Sequence, residues 1–348
     1  MPLLKNFKPV QPDESEIASF RRKLSELIRR MQADYERELK PLVVKMGARA
    51  REAASEEIKA AQATAFKADA VIFFTAYEVA RQLHILKFEV IQDCQYGKIP
   101  GALFYDNEWH IPEGAIEDYG ISKGKIDPEK ELMDKFESKL KVLRRKYDSL
   151  IHAYQSMAEQ FTEKMYQKAK RQFDKQFAKF GKIDILSKLA DRGLREAFDM
   201  EVAKNIQLIN SIPQKYFSEI QRMTVASISG QQKFEGGLTQ AIQDLTATTR
   251  KRAKIIARDQ SAKSISVFTA LRTTNLGIKK YIWRTSKDRR VAGNPNGLYP
   301  DVNPRSKAHG NHWKREGKVF EYAKPPPDGN PGQSILCRCW AEPLIEED

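Results

Sequence analysis

Between residues 128 and 180 apolar side chains return every three and four positions: Phe136, Leu143, Leu150 and Met157 stand seven apart, with Leu140, Tyr147, Tyr154 and Phe161 interleaved. Four heptads of this spacing draw one apolar seam along a helix, and a seam of that length must be covered by other helices. At about 1.5 Å per residue such a helix would reach roughly 75 Å. Past Phe161 the register slips. Lys164 and Lys168 take the next seam positions while Met165, Phe173 and Phe177 carry the apolar stripe, the pattern of a stutter. Internal partners are expected, from the first helix or from residues 183–212, with a helix of another subunit as the alternative.

The remaining N-terminal sequence also reads as helical. Ile17, Phe20, Leu24, Leu27, Ile28, Met31, Tyr35 and Leu39 recur at helical spacing, and Pro41 is expected to end or kink that helix. A second run passes through Met46, Ala50, Ala53 and Ala54, then Ala68, Val71, Ile72, Phe74, Ala76 and Val79, to about residue 92. From 94 to 127 glycines and prolines crowd together around Trp109 and His110, which predicts an insertion with turns and a short hairpin. Pro213 predicts a break, as do Gly230, Gly236 and Gly237, and Gly277 stands where a helix C-cap belongs. Short strands are expected at 278–285, 318–322 and 335–340. The fold class is therefore mainly α. A long helical, coiled-coil-like region (1–249, with the insertion at about 94–127 and the long helix at about 128–180) precedes a small α+β domain (250–348).

Charge is unevenly spread. The 348 residues carry a net +14, yet residues 250–348 hold twenty Lys and Arg against ten Asp and Glu. A basic domain of this density attracts polyanions, since neutralised phosphates release condensed counterions. Arg250, Lys251, Arg252, Lys254 and Arg258 head that domain and are the candidate DNA contacts. Residues 141–182 are also basic, but their aromatics fall on the seam and their lysines off it, which reads as core plus solvated face. No charged-then-apolar leader follows Met1, and Asp69 and Glu78 interrupt the most apolar window, 68–80, so an intracellular protein without a membrane partner is expected. Three cysteines, Cys94, Cys337 and Cys339, are too few for a disulfide framework and are expected reduced.

Three groups could carry chemistry. Cys337 and Cys339, two apart in an expected strand, would face the same way and, with His309 and His312, make up the inventory of a tetrahedral Cys2His2 zinc site. Against this stands a cofactor-free reading of two buried thiols and a hydrogen-bonded histidine, which is the expectation, with zinc the alternative. His309-Gly310-Asn311-His312 superficially matches HNH nucleases, but four consecutive residues cannot place a metal and an activated water on different elements. Asp288, among the four basic residues Arg284, Lys287, Arg289 and Arg290, most simply forms an ion pair or caps a turn; a catalytic set of Thr285, Ser286, Asp288 and His312 is present by residue type only. There is no phosphate loop of the nucleotide-binding kinds.

Taken in order, Tyr281, Trp283, Thr285, Ser286, Asp288, Arg290 and Val291, then His312, Gly317-Lys318-Val319-Phe320, Pro331-Gly332, Cys337, Cys339 and Trp340 resemble the phage Mu F-like minor head (head morphogenesis) family. The resemblance covers about 251–343, with a lead-in helix at 253–260 and a loop, 292–304, longer than in shorter members. It implies a minor head protein without catalytic residues that associates with the portal protein at the portal vertex. Scaffold or major capsid protein and packaged double-stranded DNA are further partners, and the location is the virion, reached through the host cytoplasm during assembly. The alternatives are a DNA-binding accessory and a toxin or effector enzyme acting on nucleic acid or a host protein. Effector versions would carry a further domain after the Cys-x-Cys, which the eight residues after Trp340 do not supply.

Overall fold

A computed structural model describes residues 14–56, 72–124, 127–178 and 193–345. The expectations placed on Ala68, Val71, residues 183–192 and the helix end at 179–180 lie outside the described residues, as do the side chains of Ala50, Ala53 and Ala54. The protein is mainly helical, with two small sheets. It divides into two compact units, 1–34 with 143–220 and 242–348, and 35–142 with 221–241. The position 249/250, where the sequence reading sets its boundary, falls within the helix Gly237–Asn275.

The first unit is built on long helices. Helix α1 (Glu14–Asp34) buries Ile17, Phe20, Leu24, Leu27, Ile28 and Met31, the periodic stripe read from the sequence. The expected single rod is two helices, α6 (Pro128–Asp148), whose residues 128–142 belong to the second unit, and α7 (Ile151–Phe177). The break falls at Ser149, whose hydroxyl donates to the Lys146 carbonyl at 2.8 Å and competes with the helical pattern. After the break, burial moves to Tyr154, Ala158, Phe161, Met165, Ala169, Phe173 and Phe177. The seam residues of this unit are covered from within the chain: Phe161 stacks on Phe20 at 4.1 Å, and Tyr147 lies 5.3 Å from Phe217.

Helix α8 (Leu194–Ile228) runs straight through Pro213, correcting the predicted break. Ile209, Ile212, Tyr216, Phe217 and Ile220 are all buried around it, and that apolar face outweighs the ~3 kcal/mol that an interior proline costs. Helix α9 (Gly237–Asn275) follows and ends before Gly277, whose φ of 82° suits a reversal there. Several buried polar groups between helices are paired: Asp34 accepts from the Tyr147 hydroxyl at 2.8 Å and from Lys146 at 2.6 Å, Asn205 donates to Thr162 at 3.2 Å, and Ser264 donates to Glu201 at 2.8 Å. Such pairing is what allows these groups to be buried.

The same unit ends in a three-stranded antiparallel sheet with β4 (Lys280–Arg284) central, flanked by β5 (Val319–Glu321) and β6 (Trp340–Leu344). Residues 335–340 were expected as a strand. Instead, residues 335–336 form a turn, with Leu336 at φ 55° and the Cys337 amide donating to the Ser334 carbonyl at 3.0 Å, and 337–339 are irregular. The strand begins only at Trp340. Asp259 of α9 accepts from the Leu336 amide at 2.6 Å and fixes the turn to the helix.

In the second unit the chain passes through a wide π-type turn, Tyr35–Leu39, into α2 (Lys40–Glu56). Pro41 therefore stands just after a π-type stretch, in which the regular i→i−4 ladder is already interrupted. The insertion expected at 94–127 starts earlier. Strand β1 (Phe73–Thr75), α3 (Ala76–Leu83), α4 (Lys87–Gln95), β2 (Leu103–Tyr105), β3 (Glu108–Pro112) and α5 (Glu113–Ser122) share one core, including Ala76, Val79, Val90, Ile99, Ile111 and Ile116. The β2–β3 hairpin turns on Asp106 and Asn107, both at positive φ, as a two-residue turn between antiparallel strands demands.

Candidate metal centre

Alternation along β4 sends Tyr281 and Trp283 to one face, where both are fully buried. Phe320 from β5 packs against both rings, at 5.9 and 5.5 Å, and Tyr322 lies 4.7 Å from Tyr281. The edge of this aromatic layer meets His312, whose ring centroid is 5.1 Å from that of Trp283. His312 is held there by a short helical turn, Trp313–Arg315, and by the Trp313 amide, which donates to the Ala292 carbonyl at 3.0 Å.

The two nitrogens of His312 face different chemistry. Nε2 lies 2.7 Å from Asp328 Oδ2, and Nδ1 lies 3.4 Å from Cys337 Sγ and 3.5 Å from Cys339 Sγ. A proton on Nε2 satisfies the Asp328 carboxylate and leaves the Nδ1 lone pair aimed at the two sulfurs. Arg315 holds Asp328 with both ends of its guanidinium, at 2.8 and 3.0 Å, and lies over the Trp283 ring at 4.8 Å. The Gly332 and Cys339 amides each donate to Cys337 Sγ at 3.4 Å.

This environment separates the two thiols. Cys337 is the more acidic, well below the usual thiol range, because the Cys339 thiol and His312 bond to it strongly enough to overcome its burial. Cys339, bonded to Cys337 and buried, is pushed up. Burial opposes charge on His312, but Cys337 and Asp328 outweigh it and raise the imidazole. Burial likewise raises Asp328, and Arg315 and His312 bring it below the usual carboxylate value.

His312, Cys337 and Cys339 thus form a group of potential metal ligands whose donor atoms all lie within 4.8 Å of one another. His309, the fourth ligand expected from the sequence, is not in that group. It sits at the end of α10 (Pro304–His309) and lines the same small cavity, about 20 Å³, as the other three.

The other sequence candidates have separate duties. Asp288 accepts from the Arg290 amide at 2.9 Å and pairs with Arg338, joining the Asp-x-Arg turn to the Cys-x-Cys segment. Glu316 accepts from both the amide and the hydroxyl of Thr285, at 2.6 and 2.8 Å. The Gly317 amide donates to the Trp283 carbonyl at 2.9 Å. Ser286 is half-buried and Trp340 opens β6. Thr285, Ser286 and Asp288 are therefore not gathered with His312, whose carboxylate partner is Asp328. Sequence reading missed Asp328 and Arg315. The only signal was an Asp after three prolines, with nothing to tie it to a histidine sixteen residues earlier.

The basic candidates on α9 are divided as well. Arg250 donates to Gln32 at 2.8 Å and Arg252 to Ser211 at 2.9 Å, whereas Lys251, Lys254 and Arg258 are exposed. No helix among the described residues is long and apolar enough to cross a membrane.

No protein-family model matches the chain, and no solved structure matches it. Over 169 residues, 48% of its length, it is 36% identical to an uncharacterized protein of Haemophilus influenzae (strain Rd). The match covers 34% of that protein, so it spans about a third of the length of this curated relative.

Proposed function

We propose that the chain is a phage minor head protein that associates with the portal protein at the portal vertex during prohead assembly and lies close to packaged DNA. The observation that carries this reading is the fate of the residues behind the family resemblance. Tyr281, Trp283, Cys337 and Cys339 share one buried cluster with Tyr322, His312 packs on its edge, and Asp288 ties two of its loops together. Residues spent on holding a small loop-rich body together suit a structural component. The excess of basic residues after Arg250 suits a neighbour of DNA. Scaffold and major capsid protein are further partners on the same reading, and the virion is its place.

The reading includes a zinc ion on His312, Cys337 and Cys339. Two thiolates and an imidazole are the donors zinc selects, and the carboxylate behind the imidazole is its usual support.

A second reading is favoured by one set of contacts. Asp328, His312 and Cys337 stand in the order acid, base, nucleophile, as in an enzyme acting on nucleic acid or a host protein. It ranks second because Cys339 stands as close to Nδ1 with no part in such a triad, and because Cys337 is only 8% exposed.

Affinity purification of the tagged chain from producing cells, at low and high salt with mass spectrometry of what accompanies it, tests the proposal. Recovery of a portal protein at both salts is expected. Recovery of nucleic acid alone, lost at high salt, would overturn the portal role and leave a DNA-binding accessory.

A further inference from the structure

The three-residue group leaves a tetrahedral ion one ligand short. Structural zinc sites are closed by four protein ligands, whereas sites with three keep a position for water or substrate. Among the described residues, no other His, Cys, Asp or Glu stands within the 4.8 Å group. What completes the site is therefore what decides its kind.

One residue nearby has the right chemistry and no other task. His309 is half-buried, lines the 20 Å³ cavity together with His312, Cys337 and Cys339, and makes no hydrogen bond or ion pair among the described residues. A neutral imidazole with no competing protein partner has a nitrogen lone pair to offer an ion. The cavity is scarcely larger than the space one water occupies, so it suits a single ion and not an organic ligand. The backbone between the two histidines allows convergence. Gly310 takes φ 73°, a conformation open to glycine, and ends α10, so His309 and His312 approach from separate short elements.

We propose that His309 supplies the fourth ligand to zinc held by His312, Cys337 and Cys339, closing a Cys2His2 structural site. This rests on the zinc reading above. His309 swings in by side-chain rotation at the end of a six-residue helix. His312 needs no such movement. Asp328 and Arg315 already fix its ring, and the amides of Gly332 and Cys339 already point at the Cys337 sulfur. Two thiolates and two neutral imidazoles then balance the charge of the ion inside a buried site.

The test uses the full chain, purified with zinc, and its cobalt(II)-substituted form. The wild type is expected to hold one metal per chain, to show the intense visible bands of four-coordinate cobalt bound to thiolate, and to be indifferent to added azide. His309→Ala is expected to keep its fold by circular dichroism, to bind zinc about tenfold or more weakly against a chromophoric chelator, and to change its cobalt spectrum on adding azide, because a position has opened. A wild-type spectrum that itself responds to azide, with His309→Ala binding as tightly, would overturn the fourth-ligand assignment while the zinc reading stands. Absence of metal from the wild type, with zinc affinity no better than that of Cys337→Ser, would overturn both.

Discussion

The described residues include two three-stranded antiparallel sheets of similar size, and they are stabilised in different ways. The sheet of β1, β3 and β2 is covered by α3, α4 and α5, and its core is almost wholly apolar. A buried charge there, Asp93, is met by Lys98 at 2.9 Å, Lys123 at 2.6 Å and the Tyr119 hydroxyl at 2.9 Å. The sheet of β5, β4 and β6 has Ala270 of α9 against its aromatic cluster and Phe173 and Phe177 of α7 against Ile278 and Ile345 at its end, and long loops join its strands. Loops bury little apolar area, and their own backbone must be satisfied. Its centre accordingly combines aromatic rings with a chain of polar cross-links, from Arg315 through Asp328 and His312 to the two cysteines. Helical cover lets a small sheet rely on apolar burial; loop cover requires side-chain links, and a metal ion is the strongest of these.

The sharpest way to break this contrast is at Trp283, the largest fully buried side chain. Trp283→Ala should cost roughly 4 kcal/mol in urea unfolding, since it empties a large volume and removes the ring under Arg315 and beside His312. A loss below about 1 kcal/mol would mean that the cross-links, not the aromatic layer, carry that sheet. Next in size is the zinc dependence. The stability gap between wild type and Cys337→Ser should widen by about 4 kcal/mol as free zinc rises to a thousand times its dissociation constant, and stay constant in zinc if no ion is held there.

Much of the helical part was legible in the sequence because helical periodicity reports burial directly. The stripe from Ile17 to Met31 and the seam residues Phe136, Leu140, Leu143, Tyr147 and Tyr154 are all inside. What periodicity could not give was continuity. Ser149 breaks a helix by a local hydroxyl bond, while Pro213 fails to break one because the buried face around it outweighs the local penalty. The same limit applied at the site. His312, Cys337 and Cys339 were readable as a ligand set by type, but Asp328 and Arg315 join it only through loop geometry. The strand predicted at Cys337 is irregular chain after a turn at 335–336, held by bonds from the Cys337 amide to Ser334 and from the Leu336 amide to Asp259.

The helix-covered sheet provides the smaller effects. Burial alone would raise Asp93, but Lys123, Lys98 and Tyr119 bring it down to about 2, below its ordinary 3.8. A depressed carboxylate contributes stability above its unfolded pKa and loses it as pH falls through the folded one. About 2 kcal/mol should therefore disappear between pH 5 and 2, and Asp93→Asn should flatten that part of the pH profile. An unchanged profile would show that Asp93 is not the group responsible. Smallest is the capping box at the start of α3, where Thr75 accepts from the Glu78 amide and Glu78 from the Thr75 amide. Thr75→Ala should cost about 1 kcal/mol and leave zinc binding untouched.

Hydrogen exchange at individual amides, followed before and after treatment of the full chain with a zinc chelator, bears most directly on the contrast between the two sheets. Chelation should speed exchange at Tyr281, Trp283 and Cys339 and in the 312–340 loops while residues 73–122 keep their protection. Equal protection of both sheets before and after chelation, in a preparation shown to have lost its metal, would contradict it.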